Sequence, residues 1–69
     1  MTFRLFINPD NGDFTVEDFA TIEQAAKRGA TIIRLDDPDW PEADIVSLLK
    51  AGKALTFHDY SEIRLEEVK

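Results

Sequence analysis

The chain has no cysteine, a single histidine and only three glycines among its 69 residues. Without cysteine it can form neither disulfides nor a thiolate metal site, the staples on which small secreted domains usually depend, so a reducing interior is expected. Gly12, Gly29 and Gly52 are too widely separated for a P-loop or a dinucleotide-binding fingerprint. Nucleophilic catalysis requires a nucleophile, a base and an orienting group held together, and the chain offers only His58, Ser47 and Ser61. On a strand, His58 and its neighbour Asp59 would point to opposite faces, so His58 reads as a surface or strand-edge residue. A pair of glycosidase carboxylates would need a substrate cleft that a domain this small can hardly organise. No apolar run approaches the roughly 20 residues of a membrane span, and no long apolar segment precedes the first strand pattern. The expectation is a soluble, cytoplasmic protein that is not an enzyme and uses no cofactor or metal.

Positive charge is also scarce: 8 Lys and Arg stand against 14 Asp and Glu, giving a net charge of -6. Such an excess favours solubility, repels nucleic acid and anionic lipid, and promotes encounter with basic surfaces. The 43 % apolar content and the aromatic complement are too high for a disordered acidic tail. Residues 1–69 therefore read as one domain, at a size where folding removes only about 60 % of the unfolded chain's surface.

Phe3, Leu5 and Ile7 alternate with Arg4, Phe6 and Asn8, which predicts a strand that carries Phe6 on its outer face. Pro9-Asp10-Asn11-Gly12 has the residue order of a turn. Phe14 and Val16 then alternate with Thr15 and Glu17, predicting a return strand ending near Phe19; a helix capped at Thr15 is the rival reading. Thr21-Ile22-Glu23-Gln24 matches a capping box, and the helix it opens is expected to stop at Gly29. Thr31-Ile32-Ile33-Arg34-Leu35 is β-branched and apolar, as in a central strand. Ile45, Leu48 and Leu49 predict a second helix that ends at Gly52. Leu55 and Phe57, then Ile63, Leu65 and Val68, predict a last hairpin turning near Asp59-Tyr60-Ser61, with one long bent strand as the alternative. The expected fold is α+β: a small, mainly antiparallel sheet, ordered ββαβαββ, with two helices on one face.

The feature that stands out is Asp36-Asp37-Pro38-Asp39-Trp40-Pro41-Glu42-Ala43-Asp44, five carboxylates around the only tryptophan. One reading is structural: Asp39 caps the second helix, Glu42 completes a capping box, and Pro41 sits in the first turn. A second is binding, with Asp36, Asp37, Asp39, Glu42 and Asp44 steering a basic partner and Trp40 either anchoring it or covering the fold beside the second helix. A calcium site is a poor match. Aligning Gly12 with the glycine of an EF-hand loop would put Ile7 and Pro9 at ligand positions that require side-chain oxygens.

In this segment, in the acidic stretch from Asp10 to Asp18 and in the tail Glu62-Ile63-Arg64-Leu65-Glu66-Glu67, the chain resembles the small, acidic, cysteine-free anti-CRISPR proteins of bacteriophages that act on type I systems. The likeness is one of size and composition over the whole chain. It implies a non-enzymatic inhibitor, working in the host cell cytoplasm, whose DNA-mimicking acidic surface occupies the basic DNA-binding surface of a Cascade-type complex. The partner would then be a protein, with no direct contact to nucleic acid or membrane, and the inhibitor a monomer. The alternative is a small accessory or regulatory domain that binds a protein through its sheet edge or apolar surface.

Overall fold

Alternating side chains at the start of the chain form β1 (Thr2–Asn8), which buries Leu5 and Ile7 on one face and leaves Arg4 and Phe6 on the other. The computed structural model describes residues 1–9, 12–57 and 61–68. Within them β1 is followed by β2 (Thr15–Phe19), α1 (Ile22–Asp36), α2 (Glu42–Lys50), β3 (Leu55–Phe57) and β4 (Ser61–Val68). The strands form one antiparallel sheet in the order β2-β1-β4-β3. Its centre is the β1–β4 pair, where Leu5 faces Leu65 and Ile7 faces Ile63. The fold is α+β, with both helices on one face of the sheet.

The segment Thr31–Leu35, expected as a central strand, is instead the second half of α1, so the order is ββααββ with four strands. Burial explains the outcome. Along one stripe of the helix, Ala26, Ala30 and Ile33 are fully enclosed, the spacing of a helical face, and only a continuous helix brings all three onto the sheet. Gly29 does not stop the helix but lies buried inside it. A Cβ there would lie 2.6 Å from Leu49 Cδ1, 3.4 Å from Leu5 Cδ1 and 3.5 Å from Ile63 Cγ2. The glycine thus lets α1 approach α2 and the two central strands, and that packing outweighs its low helix propensity.

Two other boundary signals act as their chemistry suggests. Thr21 caps α1, its hydroxyl accepting the Gln24 backbone N–H at 3.2 Å. Gly52 ends α2 with a positive φ of 83°. Its N–H donates to the Leu49 carbonyl while that of Lys53 donates to Leu48, a Schellman closure. Residues 15–19 form a strand rather than the rival helix, and β3 and β4 form an antiparallel hairpin rather than one long strand. The expected turn residues Asp10 and Asn11, and His58, Asp59 and Tyr60, lie outside the described residues.

Candidate functional site

Ending α1 at Asp36 and starting α2 at Glu42 places the acidic segment at a corner between the helices, on the layer that covers one side of the sheet. A turn forms it: the Trp40 N–H donates to the Asp37 carbonyl at 3.2 Å, and an Arg34 Nη reaches the Pro38 carbonyl at 3.5 Å. Asp36, Asp37, Asp39 and Asp44 are exposed, while Glu42 and Trp40 are half-buried. Trp40 packs against the core and, with Asp44, Ser47 and Leu48, lines a groove of about 300 Å³. The six residues singled out in the sequence are therefore brought together at one corner.

The capping role expected of Asp39 is not realised. Pro41 occupies the N-cap of α2 in an extended conformation, and no side chain caps the helix. Proline tolerates this position because its own missing N–H lies outside the helical ladder, while its carbonyl accepts from the Asp44 and Ile45 N–H groups. Glu42 and Asp44 lie in the first turn of α2, where the positive end of the dipole favours them. Asp36 and Asp37 occupy the last residue and C-cap of α1, where the dipole opposes them. Helix stability thus accounts for part of the acidic cluster and works against the rest.

Part of the charge elsewhere is paired. Among the described residues, Arg4 pairs with Asp18 at 2.8 Å, Arg28 with Glu17 at 3.1 Å, Lys50 with Glu23 at 3.5 Å, and Arg64 with Glu66. The hydrogen bond from Arg4 holds the Asp18 carboxyl below its ordinary range, and the same bond raises the Arg4 pKa. The carboxylates of the corner take part in none of the ion pairs found among the described residues. Nor, among those residues, do three carboxylates or imidazoles converge closely enough to hold a metal ion. The corner presents separate negative charges, with Arg34 as the cation closest in sequence.

Leu35 was missing from the residues expected at this site. It is 78 % exposed, beside Asp36, and helps Lys27, Thr31, Arg34 and Glu42 to line a second groove of about 350 Å³. Its assignment to a central strand had implied a buried side chain. A helical count from Ala26, Ala30 and Ile33 would have turned Leu35 outward. Among the described residues no helix is long and apolar enough to cross a membrane. Comparison of the chain with known protein families, curated proteins and solved structures found no match.

Proposed function

We propose that this protein is a non-enzymatic inhibitor that acts in the cytoplasm by docking its acidic corner on the basic, DNA-binding surface of a protein partner. One observation carries the reading: among the described residues, Asp36, Asp37, Asp39, Glu42 and Asp44 stand together outside the ion pairs, while Arg4, Arg28, Lys50 and Arg64 are tied to other carboxylates. A groove that binds DNA presents Lys and Arg to regularly spaced phosphates, and a cluster of uncompensated carboxylates competes for those cations. Exposed Leu35 and half-buried Trp40 supply apolar contact beside the charge, as interface anchors do. The likeness of size and composition to anti-CRISPR proteins of type I systems makes a Cascade-type complex the first partner to test.

The test is capture of such a complex by immobilised protein, with elution by salt and by duplex DNA. Release by both is expected, and the triple variant D36N/D37N/D39N is expected to lose capture while retaining its circular dichroism spectrum. Capture that ignores salt, DNA and the triple substitution would overturn this assignment.

A further inference from the structure

We infer that the bare face of the sheet is the interface of a homodimer, its occupant a second copy of this chain. The helices cover one side only. On the other, the register sets Phe6 between Val16 of β2 and Arg64 of β4. Phe14 packs beside Phe6 with ring centroids 5.9 Å apart, and the Arg64 guanidinium lies 4.3 Å over the Phe6 ring. Phe14 remains 56 % exposed and Val16 43 % exposed, so this aromatic patch is open to solvent.

Three properties of the patch fit a second copy. First, most of its charge is paired within the chain: Arg4 is held by Asp18 and Arg64 by Glu66, which leaves Glu62 as one carboxylate outside these pairs, at the end of the face beside Asn8. Two such faces can meet around a twofold axis with the paired charges at the centre and Glu62 at the end of each face, and the ion pairs can exchange partners between copies. Second, the molecule is a slab of 31 × 26 × 16 Å, and its broad side is of the order of the about 800 Å² that each partner buries in a stable interface. Third, the acidic corner lies on the helix layer, across the sheet from this face. Stacking two copies on their sheets keeps the two corners apart by more than the Debye length of about 8 Å at physiological salt. The corners then remain free for partners. This assignment replaces the monomer expected from sequence.

The test is sedimentation velocity on the purified protein alone, from micromolar to millimolar concentration. A dimer that dissociates on dilution is expected. Phe14→Asp and Val16→Lys, both at exposed positions, are expected to weaken it at least about tenfold with unchanged circular dichroism, as loss of an interface anchor does. The corner variant D36N/D37N/D39N is expected to dimerise as before, which separates this surface from the acidic one. A wild-type protein that stays monomeric throughout would overturn the inference, as would a dimer indifferent to both face substitutions. A monomer whose Phe14→Asp variant loses a foreign protein partner would assign the face to that protein and also overturn it.

Discussion

Neutralising Asp36 and Asp37 together is expected to stabilise the fold, the opposite of what removing native side chains usually does. Both residues sit at the negative end of α1, a helix of 15 residues, with no ion pair to offset the unfavourable position among the described residues. An exposed charge of the wrong sign at a helix terminus costs about 0.3–1 kcal/mol at low ionic strength, so D36N/D37N should gain about 0.6–2 kcal/mol. For a domain of this size each kcal/mol raises Tm by about 4–8 °C. The control is E42Q/D44N, which also removes two negative charges but at the favourable end of α2. Relief of repulsion within the corner is common to both variants, so their difference isolates the dipole contribution, and the control is expected to be the less stable. Thermal unfolding in low salt and again in high salt checks this, because screening shrinks the difference. Equal effects for the two variants, or a loss of stability in D36N/D37N, would refute the argument that the charges at this end of α1 oppose the fold.

Gly29→Val places a branched side chain where Leu49 Cδ1 lies 2.6 Å from the Cβ position, and overpacking of this kind is expected to lower stability by about 1–3 kcal/mol in urea unfolding. A variant as stable as the wild type would show that α2 yields without strain. The Arg4–Asp18 pair gives a pH signature. Because Arg4 holds the Asp18 carboxyl below its ordinary 3.8, the pair contributes stability above that value and loses it as pH falls through the lowered folded-state pKa. Asp18→Asn is therefore expected to be less stable near neutrality and to lose less on acidification below about pH 4, read from Tm against pH. Parallel profiles for the two proteins would remove Asp18 from the acid response.

Local chemistry was legible where it is self-contained. The Thr21 hydroxyl, the Gly52 stop and the alternation of Phe3, Leu5 and Ile7 each act within a few residues, and the structure shows all of them working. Gly29 is ambiguous by nature, since the same missing side chain ends a helix or lets another element approach. Only the distant Leu49, Leu5 and Ile63 decide between these roles. Thr31–Leu35 failed for the related reason that a short β-branched run has no intrinsic periodicity to separate strand from buried helix. At the candidate site, the cluster of carboxylates was evident from composition. Its freedom from ion pairs among the described residues was not, because Arg4, Arg28 and Lys50 find their partners through the fold, while Arg64 pairs with Glu66 along its own strand. The meeting of Phe6, Phe14 and Arg64 on one open face likewise depends on pairing between distant strands.

The central pairing of β1 with β4 also governs when the protein can fold during synthesis. Leu5 faces Leu65, and the β1–β2 hairpin, made before β4, has no sheet neighbour for its inner edge until Ser61–Val68 follows. At elongation rates of about 5–20 residues per second, the interval between these two leucines lasts roughly 3–12 s. Throughout it, the apolar side of β1 and the cores of both helices lack the strand that completes their burial. The nascent chain thus depends on its net charge to resist association during the seconds before the sheet closes.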